Sequence, residues 1–418
     1  MSWYIGIMSG TSLDAIDVAL CKLDIINGSI QTRAFHSPPF PDELLAKLTV
    51  LCTKPIQHLE NIGQTQQILT QAYADAVNNL LTKENIDPAS ISAIGCHGQT
   101  IWHSPASENP FTWQLLDPAL LARLCKIDVV HDFRAKDMAY GGQGAPLVPP
   151  FHQWLCKDFP ARFQYRVLVN IGGIANVSIF NKERLIAGFD TGPGNTLLDM
   201  WHQRHKIQMY DKNGAWAATG NNQPELLTKL LSDPYFAQPA PKSTGREYFN
   251  LDWLQECLNQ YSLLIESTSV DNTHMHSQPM QEAQEDSWQP YSIEMQMTPV
   301  ENLTKVSISP KDMQRTLSML TAQSILDSVQ TYTKNAPTQM ILCGGGTHNK
   351  RLCADLSELL PNSIEMTLLS SLGHNPDAIE AMAFAWLAAC HESGIPSNAP
   401  SLTGASKAVV LGSKTSYK

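Results

Sequence analysis

The sequence holds no run approaching the ~20 consecutive apolar residues of a membrane-spanning helix, and no basic segment followed by an apolar one opens it, so neither a membrane anchor nor a signal peptide is expected. Positive charge is in short supply: 29 Lys and Arg stand against 39 Asp and Glu, a net charge of −10. That balance argues against nucleic acid or an anionic membrane as partner, because both select basic surface. The nine cysteines are odd in number and scattered, with no C-x-x-C pair, which excludes a disulfide framework or a cysteine zinc site and suits a reducing compartment. A cytoplasmic protein is expected. No G-x-x-x-x-G-K-[ST] loop, no G-x-G-x-x-G and no G-x-S-x-G occur, so a Walker ATPase, a dinucleotide-binding Rossmann unit and an α/β-hydrolase are all without their signatures. His202 and His205 share a helix face, but no third ligand accompanies them, and no metal site is assigned.

What is present is ample core and a set of glycine turns. At 418 residues, 43% hydrophobic and 16% charged, the chain has the size of two globular domains. Residues 3–7 and 16–25 read as paired strands around the turn "MSGTSLDAID", and 41–82 read as helix. Short strands are expected at 91–95 and 127–131, before the Gly/Pro-rich passage 139–152, which marks a hinge. The layout of 3–21 then returns at 166–180 as apolar run, glycine turn and apolar run, which suggests two similarly built halves. Strands at 186–189 and 338–343 follow. The stretch 190–201 reads as a turn opening a helix from about Pro193, a second helix starts near Thr347, and 375–390 reads as a helix with Ile379, Met382, Ala383, Trp386 and Leu387 along one face. Residues 264–306, Gln- and Met-rich in their first part and without clear periodicity, read as a surface insertion. Strands alternating with helices imply a largely parallel α/β arrangement with ligands beyond strand ends.

Three turns carry glycine beside hydroxyl or amide residues: Gly10 to Ser12, Gly192 to Asn195, and Gly344 to Gly346. Each is either a plain tight turn or a place where backbone N–H groups approach a phosphate. Asp190 follows a strand and opens a glycine turn; it is either a displayed base or metal-binding carboxylate or a helix cap. Asp14 and Asp17 are either turn-capping residues or part of a phosphate site. His97 ends a buried strand beside Gly98-Gln99-Thr100.

Eight strings occur in order: "MSGTSLDAIDVAL", "GCHGQTIWH", "GGQGAPLVPPFH", "VNIGGIANVS", "GFDTGPGN", "APKSTGREYFN", "CGGGTHN" and "PDAIEAMAFAWLA". Together they closely resemble the anhydro-N-acetylmuramic acid kinases, over nearly the whole chain apart from 264–306. The resemblance implies an α/β, two-domain actin-like (ribonuclease H-like) fold with an interdomain cleft. It places an N-terminal domain at 1–135 and a C-terminal domain at 136–418, the tail of the chain returning to the first. It implies that ATP and Mg²⁺ are used to open the 1,6-anhydro bridge of 1,6-anhydro-N-acetylmuramic acid with water and to phosphorylate O6. The product is N-acetylmuramic acid 6-phosphate, in the recycling of bacterial peptidoglycan, and a homodimer is implied as well.

The same resemblance assigns roles. Asp190 is the general base. Gly10, Thr11, Ser12, Leu13, Asp14, Ala15, Ile16 and Asp17, with Gly172, Gly173 and Asn176 and with Gly192, Gly194 and Asn195, are expected around the ATP phosphates. Gly344, Gly345, Gly346 and Asn349 are expected on the adenosine side, and His97, Gln99, Thr100, Arg134 and Glu380 at the sugar. Ala15 departs from the family's usual glycine; if that position needs positive φ, alanine costs about 1 kcal/mol. Two other readings compete. A non-catalytic actin- or Hsp70-like nucleotide switch would have no use for "HGQT" and "KSTGRE", and a two-carboxylate glycosidase would need neither ATP nor the glycine turns.

Overall fold

The fold comes from a computed structural model. It describes the chain apart from residues 11–12, 55, 156, 158–161 and 271–307, with only the backbone described over 264–270. An antiparallel meander of β1 (Ser2–Met8), β2 (Asp17–Asp24) and β3 (Ser29–His36) comes first. Helices α1 (Asp42–Thr53) and α2 (Leu59–Glu84) lead to β4 (Ile91–Cys96), which lies parallel to β1. A separate hairpin of β5 (Gln99–Ser104) and β6 (Phe111–Leu115) and helix α3 (Pro118–Cys125) precede β7 (Val129–His131), parallel to β4. Helices α4 (Phe133–Met138) and α5 (Pro149–Leu155) connect to a second meander, β8 (Tyr165–Ile171), β9 (Ile174–Asn181) and β10 (Arg184–Pro193). Helices α6 (Thr196–His205), α7 (Pro224–Leu231), α8 (Pro234–Ala237), α9 (Leu251–Val270) and α10 (Pro310–Thr333) separate it from β11 (Thr338–Cys343). Then come α11 (Lys350–Leu359), β12 (Ile364–Leu368), α12 (Ile379–Glu392), α13 (Pro400–Thr403) and β13 (Ser413–Thr415).

The two large sheets repeat one plan. The first runs β13-β7-β4-β1-β2-β3 and the second β10-β9-β8-β11-β12. In each, three meander strands are followed by two strands parallel to the first of the three. The recurrence of apolar run, turn and apolar run at 3–21 and 166–180 is therefore a recurrence of topology. Strand β13 adds to the edge of the first sheet, pairing antiparallel with β7.

Each sheet is covered on both faces, which is why its central strands are continuously apolar. Leu44, Leu48, Leu69, Tyr73 and Val77 of α1 and α2 cover one face of the first sheet; Ile325, Val329, Leu352 and Leu356 of α10 and α11 cover one face of the second. Helix α12 packs against β1, β2 and β4, in a core that also takes in Leu168 and Phe180 of the second sheet. Its burial runs all round, from Ile379 and Ala381 through Cys390, rather than along the single expected face. The close approach depends on two glycines. Gly6 and Gly95 are register partners on β1 and β4, and a methyl on either would run into the α12 backbone, at the Ala381 and Phe384 carbonyl oxygens respectively.

Other boundaries shift for local reasons. The helix expected over 41–82 is two, α1 and α2, separated where Gln57 Nε2 donates to the Val50 and Lys54 carbonyls. The helix expected from Pro193 starts at Thr196 after the cap residue Asn195, because β10 continues through Pro193. A 3₁₀ turn, Gly345–His348, precedes α11, and another, Pro376–Ala378, precedes α12 and holds the bond from Asp377 N to Asn375 Oδ1. Of the expected insertion, 264–270 continue α9 as helix, and 271–306 lie outside the described residues. The eight cysteines among the described residues are all free.

Candidate active site

Asp190 sits on β10 one residue before the strand's last Thr-Gly-Pro, not in a turn. Its cross-strand partner on β9 is Asn176, which in turn faces Asn170 on β8, so one polar row crosses the sheet near its strand ends. The Asp190 carboxylate is fixed from outside the sheet. Its Oδ2 accepts from Ser243 Oγ at 2.8 Å and from the Thr244 N–H at 3.0 Å. Its backbone is held too, by the bond from its N–H to the Lys242 carbonyl and by Tyr235 Oη donating to its own carbonyl at 2.7 Å. Lys242 Nζ closes the frame on the Tyr235 and Phe236 carbonyls. Burial pushes the Asp190 carboxyl above the usual range, while the Thr244 and Ser243 donors and the Arg134 charge pull it back. Both of these donors fall on Oδ2. A held, partly desolvated carboxylate of raised basicity suits a general base.

Arg134, on α4, lies in the fields of Glu380 and Asp190. Its Nε donates to His97 Nε2 at 2.8 Å and its Nη1 to the Gly144 carbonyl at 2.9 Å. Burial lowers it to about 10. His97 is buried and packs on Phe384 at 4.9 Å; burial and the Arg134 charge hold it neutral. His97 thus works as the acceptor that aims Arg134. Glu380, in the first turn of α12, accepts from Asn170 Nδ2 at 2.9 Å, and burial raises its carboxyl, with Asp17 adding to the shift. Asp190, Arg134, Glu380 and Asp17 are thereby gathered from β10, α4, α12 and β2. Gln99 is fully buried and donates to the Gly10 carbonyl at 3.2 Å, tying the sugar loop to the first glycine turn. Thr100 Oγ1 accepts from Gln114 Nε2.

The first turn is anchored by its apolar residues. Leu13 and Ile16 are buried, Leu13 N donates to the Gly10 carbonyl, and Ser9 Oγ is 2.5 Å from Tyr73 Oη. The left-handed backbone belongs to Leu13, at φ 57, and Ala15 has no such strain. The cost expected for alanine is absent because the turn reverses two residues earlier. Asp14 is exposed; Asp17, half-buried, is pushed up to about 6 by burial, with Asp377 and Asp14 adding to the rise. Thr11 and Ser12 lie outside the described residues.

In the second half, Gly172 and Gly173 form the β8–β9 turn, and their carbonyls accept from the N–H groups of Asn195 and of Gly194 and Thr196. The Gly194 and Asn195 amides are thus spent at the start of α6 and are not available to a phosphate. Gly194 is glycine for packing, since a side chain there would strike the Gly172 carbonyl; Gly192, at φ 149, has Phe236 in the way of any side chain. Gly344, at φ 81, lies against Asn170, while Gly345 opens onto free space. Asn349 is the N-cap of α11, its Oδ1 accepting from Leu352 N at 3.1 Å, so its side chain is already engaged.

The residues that the sequence did not single out are those of "KSTGRE": Lys242, Ser243 and Thr244 around Asp190, and Arg246, whose Nη2 lies 3.3 Å from Asp14 Oδ1. Asn170 was visible only as part of "VNIGG". The signal was the motif itself, which carried no chemistry until the loop was seen against β10.

Two α/β sheets of one strand plan, with glycine turns at strand ends and a fixed carboxylate on the second, have the mixed α/β layout expected of a phosphotransferase of this kind. The family model for anhydro-N-acetylmuramic acid kinase matches residues 2–284 and 276–417. A Haemophilus influenzae protein of that name is 42% identical over 410 residues, spanning 98% of this chain and 97% of that one. Proteins of the same name from Pseudomonas syringae pv. tomato and Neisseria meningitidis serogroup C are 42% and 41% identical, over 98% and 99% of this chain and 98% and 99% of their own. Among solved structures, a glucokinase of the ROK family from Streptomyces griseus aligns over 92% of this chain and 98% of its own, with 10% identity and a TM-score of 0.34. The chain belongs to the anhydro-N-acetylmuramic acid kinase family. It is a kinase, uses ATP and acts on a small sugar.

Proposed function

We propose that the protein hydrolyses the 1,6-anhydro bridge of 1,6-anhydro-N-acetylmuramic acid and phosphorylates O6 at the expense of ATP, giving N-acetylmuramic acid 6-phosphate and ADP. Asp190 takes a proton from water as the water oxygen bonds to C1. The C1–O6 bond breaks, and O6 accepts the terminal phosphoryl group. Arg134, aimed by His97 and set among the carboxylates of Asp190 and Glu380, binds polar groups of the sugar. The observation that carries this reading is the Asp190 carboxylate, fixed on Oδ2 by two donors and raised in basicity by burial. A nucleotide switch without chemistry has no need of such a group.

Among the described residues no three His, Cys, Asp or Glu side chains stand ready to hold a metal. The hard oxygen donors Asp14 and Asp17 fit Mg²⁺ arriving with the phosphates, since Mg²⁺ is commonly bound through one or two carboxylates plus phosphate oxygens. When bound, the ion offsets charge on the transferring group. The first turn and Gly172–Gly173 are read as the phosphate side, Gly344–Gly346 as the adenosine side, and 1–135 and 136–418 as the two domains. The setting is peptidoglycan recycling in the bacterial cytoplasm, by a homodimer. No helix among the described residues is long and apolar enough to cross a membrane.

The test is direct. Incubation with the anhydro-sugar should yield phosphorylated sugar only when ATP and Mg²⁺ are present. Asp190→Asn should keep the fold and bind ATP while turnover drops about 10²-fold or more; near-wild-type turnover in that folded variant would remove Asp190 as the base.

A further inference from the structure

Arg246 lies where the two glycine turns meet. Its Nη2 is 3.3 Å from Asp14 Oδ1 and 3.5 Å from Oδ2, in the turn after β1. Its Nε and Nη2 are also 3.5 Å from the point where a side chain on Gly173, in the turn after β8, would begin. The guanidinium thus spans the first and second turns. Its charge also pulls down the pKa of Asp199, which burial and Asp14 raise. Along the chain it is two residues from Thr244 and three from Ser243, the two donors to the Asp190 carboxylate.

We propose that Arg246 is a phosphate-binding residue of this site: the terminal phosphoryl group of a nucleoside triphosphate replaces the Asp14 carboxylate on its guanidinium, and the short 243–246 segment passes that occupancy to the orientation of Asp190. The proposal rests on the kinase reading above. Three physical points support it. A guanidinium presents the same planar fork to a carboxylate and to a phosphate. The Asp14 side chain is 68% exposed, so its pairing with Arg246 is of the weak, exchangeable kind. A triphosphate entering a site that already holds Asp14, Asp17, Asp190 and Asp199 needs a cation placed at its terminal group, and the Arg246 guanidinium lies within ordinary contact distance of Gly173 in the second turn.

The experiment is calorimetry in EDTA with AMPPNP and with AMP, on wild type, Arg246→Ala, Arg246→Lys and Asp14→Asn, alongside thermal melts and steady-state kinetics. Arg246→Ala is expected to weaken AMPPNP about tenfold or more and AMP less than twofold. Arg246→Lys, which keeps the charge and loses the fork, falls between, and serves alone if the alanine variant does not fold. In EDTA, where its carboxylate has no Mg²⁺ to hold, Asp14→Asn is expected to tighten AMPPNP, because it removes the group that competes for the guanidinium. In kinetics with Mg²⁺, Arg246→Lys should raise KM for ATP and also lower kcat, with sugar affinity unchanged. The inference is overturned if the Arg246 variants lose AMPPNP and AMP equally, or if Asp14→Asn reproduces the Arg246→Ala loss, as a merely structural ion pair between the halves would. If wild type makes no phosphorylated sugar, the kinase reading itself fails. If wild type makes it and Arg246→Ala binds AMPPNP as wild type does, only the present inference fails.

Discussion

Ser243→Ala probes the base without touching it. In the native protein Oδ2 of Asp190 takes one bond from Ser243 Oγ at 2.8 Å and one from Thr244 N at 3.0 Å. The hydroxyl stabilises the ionised carboxylate, and burial opposes it. A hydrogen bond to a charged group is worth roughly 1.5–3 kcal/mol, and about 1.36 kcal/mol moves a pKa by one unit. Removal of the hydroxyl should therefore raise the Asp190 pKa by about one unit, the Thr244 bond and water taking up part of the loss. A base must be deprotonated, so activity falls as pH drops through its pKa. The acid limb of kcat/KM against pH should move upward by about one unit in Ser243→Ala. On that limb the variant would be about tenfold slower than wild type, and on the plateau nearly equal to it. The assay is phosphorylated-sugar formation across the pH range, with the melting temperature checked at each pH. A limb that stays in place, or a loss equal at every pH, would refute the view that Ser243 tunes Asp190.

Asp199→Asn tests the crowding of carboxylates: burial and the Asp14 and Asp211 charges push Asp199 from 3.8 up to about 7. A carboxyl raised on folding favours the native state below its unfolded pKa, and that stability is lost as pH rises through the folded value, so the variant's melting temperature relative to wild type should be higher at pH 8 than at pH 4. An equal difference at the two pH values would sink that account. Gly6→Ala drives a methyl into the Ala381 carbonyl of α12 and to 2.6 Å from Ala385 N. It should cost about 1–3 kcal/mol by overpacking. It should also lower kcat/KM for sugar by up to about 10²-fold, because α12 carries Glu380 and a shift near 1 Å misplaces it; unchanged kinetics would show that α12 can move without the site.

The strand plan was legible because the strands are buried on both faces, and such runs as Ile5 to Ile7 and Val167 to Ile171 announce themselves. Asp190 was legible as a strand-end carboxylate before a glycine turn. Its support was not, because Ser243 and Thr244 lie some 50 residues away in a loop with no period of its own. The glycine turns were legible as turns, but a turn does not show which way its amides point. The Gly194 and Asn195 N–H groups, expected near the phosphates, donate to the Gly173 and Gly172 carbonyls. Asn349, expected on the adenosine side, also caps α11. The burial of α12 all round was not legible either, because only a helix pressed against Gly6 and Gly95 makes its small residues a requirement.

The duplicated plan shows why turns of one kind differ in use. The two halves share strand order, yet the equivalent turns after β1 and β8 are used differently. The turn after β8 is two glycines whose carbonyls hold the start of α6, so its oxygens serve the fold. The turn after β1 runs from Ser9 to Ile16, is pinned at Ser9 by Tyr73 and at Gly10 by Gln99, and keeps Asp14 in solvent. The short turn is tied to α6, and the long one is tied at Ser9 and Gly10 while Asp14 faces solvent. Arg246 is placed against both, and its loop also holds Asp190. On the proposed reading, a segment of four residues, 243–246, links the phosphate side to Asp190. A kinase that opens an internal ether with water has reason to need that link, since a base active in the absence of the phosphoryl donor would spend the anhydro-sugar on plain hydrolysis.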